Sequence, residues 1–120
     1  MTTIEKAMPQ PLNQTAPAEI TRPAAGKLVS GDPVHSTWPH FEKNGLYCGI
    51  WQSTPGAWRV QYDEWEYVNI LSGHSILHGP DGSLTHLRAG DRYIIPQGFS
   101  GIWEVVETTV KDYVIQTFDP

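Results

Sequence analysis

The chain has 120 residues, with 13 acidic against 8 basic side chains and a formal net charge of −5. That length suits one domain with one core, and an acidic chain without a Lys/Arg cluster argues against nucleic acid and anionic membrane surfaces as partners. No run approaches the roughly 18 apolar residues of a membrane-spanning helix, and ten prolines with eleven glycines among short apolar runs favour strands and tight turns over long helices.

The charge is uneven. Residues 1–62 carry five basic and four acidic side chains, whereas residues 63–120 carry three and nine. The single cysteine, Cys48, excludes an internal disulfide and a CxxC zinc site, and it reads as a small buried hydrophobe. No basic segment followed by an apolar one opens the chain, so a cytoplasmic protein is expected.

Residues 1–25 hold Pro9, Pro11, Pro17 and Pro23 and no aromatic side chain; all thirteen aromatics lie from Trp38 onward. Such a segment buries too little apolar surface to offset its ordering entropy. It is expected to be a flexible arm, disordered or laid over a neighbouring subunit. Residues 26–120 form the single expected domain. Residues 26–45 read as an irregular lead-in with one short strand at most, containing His35 and His40 as surface or hydrogen-bonding groups.

Strands then follow closely. Leu46 to Gln52 alternates, and the Thr54-Pro55-Gly56 turn leads to Ala57 to Tyr62, with Trp58, Val60 and Tyr62 on one face. Glu66 to Leu71 and His74 to His78 are separated by Ser72-Gly73, and Gly79-Pro80-Asp81-Gly82 closes the second of them. Ser83 to Leu87 and Arg92 to Ile95 flank the Gly90-Asp91 turn, and Pro96-Gln97-Gly98 ends the latter. Two last strands run over about Ile102 to Val106 and Val110 to Phe118. Short strands at this spacing predict an all-β sandwich or barrel.

Gly90-Asp91, Pro96 and Gly98 stand at the spacing of the second cupin motif, and Pro55-Gly56 through Glu66 to Gly73 resembles the first. Trp103-Glu104-Val105 and Lys111-Asp112-Tyr113-Val114-Ile115 are similar to a narrower branch. It comprises the small single-domain cupins grouped with the cupin domain of (S)-ureidoglycine aminohydrolase and with ethanolamine-utilisation proteins. The resemblance spans about Lys27 to Gln116. It implies an RmlC-like cupin jelly roll, a double-stranded β-helix barrel, and by family habit a homodimer.

Cupins place two histidines shortly before the glutamate and a third after the second motif's last glycine. Here the corresponding positions are Val60 and Tyr62, or Arg59 and Gln61, and then Gly101. Only Glu66 matches of four ligands, and the Glu, His, His and Gln set of the aminohydrolase is not reproduced either. No metal and no other cofactor is therefore expected. By analogy with the family's inward residues, His74, Ile76 and His78 point outward.

Strand parity supplies the interior. Trp58, Tyr62, Glu66, Tyr93, Gly101 and Trp103 are the expected pocket residues, with Gly101 either freeing volume at the old ligand position or suiting a bend. Aromatic walls with a few converging polar groups fit a small molecule. A partly desolvated Glu66 beside Tyr62 has the makings of an acid–base pair. Lys111 and Tyr113 are read as lying on opposite faces, with Lys111 in a solvated ion pair to Glu104 or Glu107. The leading expectation is a small-molecule-binding cupin. The alternatives are a metal-independent isomerase, lyase or amidohydrolase using Glu66 and Tyr62, a metal-dependent ureido hydrolase, and a purely structural or regulatory partner with an occluded barrel.

Overall fold

Nine strands and no helix form among residues 7–118, the part of the chain that the computed structural model describes. In chain order they are β1 (Glu19–Thr21), β2 (Leu28–Gly31), β3 (His35–Lys43), β4 (Leu46–Ser53), β5 (Gly56–Gln61), β6 (Trp65–His78), β7 (Leu84–Arg88), β8 (Arg92–Ile95) and β9 (Ser100–Gln116). All pair antiparallel in one curled sheet, the jelly-roll half-barrel of the expected all-β class.

β9 is the axis of this sheet. One of its edges pairs with β4 over Thr109–Gln116 and with β5 over Ser100–Val105, while the other edge runs along β6. β3 and then β1 extend the sheet beyond β4, β2 extends it beyond β5, and β7 and β8 each pair with β6 alone. Side chains alternate along both long strands. Glu66, Val68 and Ile70 on β6 and Trp103, Val105, Thr109, Lys111 and Tyr113 on β9 are all buried. The apolar core gathers Val68, Ile70, Leu77, Leu87, Ile95, Trp103 and Val105, with Trp58 and Tyr62 at its edge.

Two pairs of expected strands are continuous. Ser72-Gly73 bends β6 instead of ending it, with the register shifting between Ile70 and Ser75. Gly73 sits at φ 91°, and a Cβ there would run into the backbone of Thr108 on β9. The strand survives because glycine takes this conformation and approach together. Opposite the bend, β9 continues through Thr108, so the strands read over Ile102 to Val106 and Val110 to Phe118 are one.

The lead-in at residues 26–45 is more regular than expected, because it contains all of β2 and the nine residues of β3. Pro39 argues against a strand in sequence. In the structure a register shift between Pro39 and Phe41 accommodates it. Upstream, residues 7–18 follow β3. The Trp38 indole donates to the Ala16 carbonyl at 2.9 Å, Gln10 donates to the His40 carbonyl at 2.9 Å, and β1 pairs with Thr37 to His35. Residues 1–6 of the expected arm and 119–120 of the expected domain lie outside the described residues.

Replacing Gly73 with alanine forces both the positive φ and the contact with Thr108. We expect Gly73→Ala to lower unfolding free energy by more than about 1 kcal/mol in chemical denaturation. Gly82→Ala, also at positive φ but with nothing near its Cβ, isolates the backbone part of that cost.

Candidate ligand-binding site

The inward faces of β3, β4, β5, β6 and β9 line an open-mouthed cavity of about 470 Å³. Its walls are His35 and Thr37 from β3, Tyr47 and Trp51 from β4, Trp58 and Val60 from β5, and Trp103, Tyr113 and Ile115 from β9. Tyr62 and Glu64, in the β5–β6 connection, and Glu66 and Lys111 supply further polar groups.

The turn chemistry of the second motif positions Tyr62. The Gly98 amide donates to the Tyr62 carbonyl at 2.6 Å, and the Tyr62 amide donates to the Phe99 carbonyl at 2.8 Å. The Gly90-Asp91 turn docks likewise on Ile70, whose amide donates to the Asp91 carbonyl and whose carbonyl accepts from Gly90, both at 2.9 Å. These contacts anchor β6, and with it Glu66.

Glu66 is the polar centre. Its Oε1 accepts from the Tyr62 hydroxyl at 2.8 Å, and its Oε2 accepts from Lys111 Nζ at 2.8 Å. The two charged side chains are only 3% and 7% exposed. The ammonium lies 4.3 Å from the ring centre of Trp103 and 4.6 Å from that of Trp51, so two indole faces share its charge. Burial, reinforced by the Glu66 carboxylate, raises the Tyr62 phenol well above its ordinary pKa of 10.0. Tyr62 is thereby held as a hydrogen-bond donor. Burial also pushes the Tyr113 phenol up to about 12.

A chain of hydrogen bonds fixes the Trp103 wall. Its indole donates to Ser75 at 3.1 Å, the Ser75 hydroxyl lies 2.7 Å from that of Thr109, and Thr109 donates to the Glu107 carbonyl at 2.9 Å. Ser75 and Thr109 are fully buried, so every hydroxyl in this chain has a partner. His35 packs on the opposite side, its ring 4.5 Å from Trp58 and 5.3 Å from Trp51. Burial and then the Lys111 charge lower its pKa to about 4, and its Nε2 is enclosed without a hydrogen-bond partner.

The EutQ-like cupin domain profile matches residues 42–113, more than half of the chain. The chain belongs to this cupin family. No curated protein sequence matches it. Among solved structures it is similar to a DUF861-family protein of unknown function from Pseudomonas syringae pv. tomato, at TM-score 0.79 and 24% identity over 88% of this chain. The match covers 46% of that protein, so the present chain spans under half of its length. EutQ of Clostridium difficile aligns at TM-score 0.65 and 20% identity, covering 72% of this chain and 65% of EutQ. A putative ethanolamine utilization protein Q of Salmonella typhimurium aligns at TM-score 0.66 and 16% identity, covering 88% of this chain and all of that one. At these identities the structural likeness establishes the fold.

Cupins commonly hold a metal at the barrel centre, and the residues present here do not fit one. The group 2.8 Å from Glu66 on one side is an ammonium and on the other a phenol held protonated. Neither is a metal ligand under these conditions. No group of three His, Cys, Asp or Glu converges among the described residues.

Of the six expected pocket residues, Trp58, Tyr62, Glu66 and Trp103 line this cavity. Tyr93 does not. Register places it opposite Val68, but β8 pairs only with β6, and the side chain is 41% exposed along a separate crevice with Leu77, Ile95 and Phe99. Gly101 does not line the cavity either. A Cβ there would meet the His78 carbonyl, so neighbouring backbone closes the position and no volume is freed. Lys111 is buried against Glu66 rather than solvated beside Glu104, and it shares the inward face with Tyr113. His78 takes Glu104 instead, at 2.7 Å. Sequence reasoning missed Lys111, Trp51 and His35 as wall groups. For Lys111 the signal was its parity with Trp103.

A pKa held near 4 in the fold, against 6.5 unfolded, favours the neutral His35 ring in the native state. The unfolded chain then binds the extra proton between those values, so stability falls as pH drops from about 6.5 towards 4. Denaturation midpoints measured across this window are expected to fall less steeply in His35→Gln than in wild type.

Proposed function

We propose that this cupin binds a small, uncharged polar metabolite, such as an amide-bearing one, in the tryptophan-walled cavity. The observation that carries the reading is a buried ion pair at the centre of an apolar cavity. Glu66 and Lys111 cancel, and Glu64 at the wall adds negative charge, so the lining has no surplus cation to draw in an anion. Indole and phenol faces from Trp51, Trp58, Tyr47 and Tyr113 suit a flat molecule, and the hydroxyls and carboxylates supply orientation.

Binding is favoured over acid–base catalysis by Glu66 and Tyr62. Both carboxylate oxygens are already engaged, and Tyr62 holds its proton more tightly than a free phenol. A base would have to surrender one of these bonds before accepting a proton from a substrate. A metal-dependent hydrolase would need ligands that the cavity does not offer. The proposed assembly is a homodimer, for which the unpaired edges of β7 and β8 and the exposed Leu84 and Ile94 supply surface in want of cover.

The test is a thermal-shift screen of neutral amides, lactams and ureides, repeated with chelator. Ligands of this class are expected to raise the unfolding midpoint equally with and without EDTA and to perturb tryptophan emission. Trp58→Ala is expected to weaken a hit at least about tenfold, in keeping with loss of a buried aromatic contact. A screen in which only anions stabilise the protein, or in which EDTA abolishes every shift, overturns the proposal.

A further inference from the structure

The cavity wall holds a buried ion pair flanked by two indoles. A buried carboxylate is tolerated only with a charge partner, and here three elements converge on one point to supply and hold it. Glu66 Oε2 stands 2.8 Å from Nζ of Lys111, and the faces of Trp103 and Trp51 stand 4.3 and 4.6 Å from the same atom. A carboxylate and two indole faces around one nitrogen form a cage for a small organic cation. The cation is covalently tethered, because Lys111 reaches the cage from β9 along the inward face it shares with Trp103 and Tyr113.

We propose that Glu66, Trp51 and Trp103 constitute a cation cage that Lys111 fills permanently, so the cavity refuses free cations and divalent metals at the position where a cupin holds its metal. The tethered ammonium makes Glu66 unavailable, since a second cation there would meet Lys111 at close range without a carboxylate to screen it. Lys111 is thus a specificity determinant, and removing its side chain converts an occupied cage into an open ammonium site. The inference concerns the same cavity as the proposed metabolite site. Its readout is cation binding, which succeeds or fails whether or not any amide binds.

Lys111→Ala keeps the Cβ and leaves a hole the size of the lost propylammonium group. We expect its unfolding midpoint to lie about 10 °C or more below wild type. n-Propylammonium chloride is expected to restore much of that loss with saturable concentration dependence, beyond what sodium chloride does at equal ionic strength. Wild type should show no such shift, and neither should Lys111→Ala carrying Glu66→Gln. Rescue by sodium chloride alone, rescue that persists in the Glu66→Gln background, or stoichiometric Mn²⁺ binding by wild type that Glu66→Gln removes overturns the proposal. Should Lys111→Ala not fold, the cycle of Lys111→Met, Glu66→Gln and their combination decides. The double variant is expected to recover more than half of the midpoint lost in Lys111→Met, and losses that simply add refute the cage.

Discussion

The constraint on which this structure depends is the neutralisation of Glu66 inside the barrel. An isolated carboxylate in such surroundings would cost several kcal/mol of lost hydration. Two solutions were open to a cupin: recruit a cation from solution or supply one from the chain. This sequence supplies one, and the choice propagates outward. Lys111 must lie on the inward face of β9, its stem must have apolar walls, and its remaining charge must meet something polarisable. Trp51 and Trp103 meet that last demand from neighbouring strands. Trp103 in turn needs a partner for its buried indole N–H, which Ser75, itself held by Thr109, provides.

Placing these groups together is the work of two long bent strands. β6 contributes Glu66 before its bend and Ser75 just after it; β9 contributes Trp103 and Lys111 on either side of the matching stretch. If Gly73 ended β6 as a turn would, Ser75 would lose its rung opposite Val105 and Trp103 its acceptor. The bend is therefore part of the site as well as of the fold. Glycine's tolerance of φ 91° links the two.

How much of this could be read in the sequence follows from the range of each interaction. The all-β jelly roll, the Gly90-Asp91 and Pro96-Gly98 turns, and the inward placing of Glu66 all rest on local alternation and turn chemistry, and they hold. Tyr62 beside Glu66 was within reach because the residues are four apart. Lys111 was not, because its partner is 45 residues away and a lone lysine is normally a surface residue. The sequence reading puts it in a solvated pair on the face opposite Tyr113, whereas positions two apart on a strand share a face and the β6–β9 register turns both inward. His35 was obscured differently. It stands on β3, whose Pro39 hides the strand, and what buries its ring is Trp51 and Trp58 from two other strands. Tyr93 shows the reverse error: alternation gave its side of the sheet correctly but could not show that β8 is an edge with nothing beyond it.

The same comparison separates two meanings of an absent histidine. At Gly101 the side chain is missing because the His78 carbonyl occupies the space, so that position is structural. At Tyr62, one of the positions the spacing offers for an imidazole, stands a phenol that donates to Glu66, and an ammonium donates to the other oxygen. The carboxylate thus keeps two close electropositive partners while the source of the positive charge moves from solvent to side chain. A ligand entering this cavity meets hydrogen-bond donors already committed to Glu66, and it gains most by adding aromatic and hydroxyl contacts without disturbing them. On the proposed reading, recognition would rest on shape and stacking around a polar centre that stays closed.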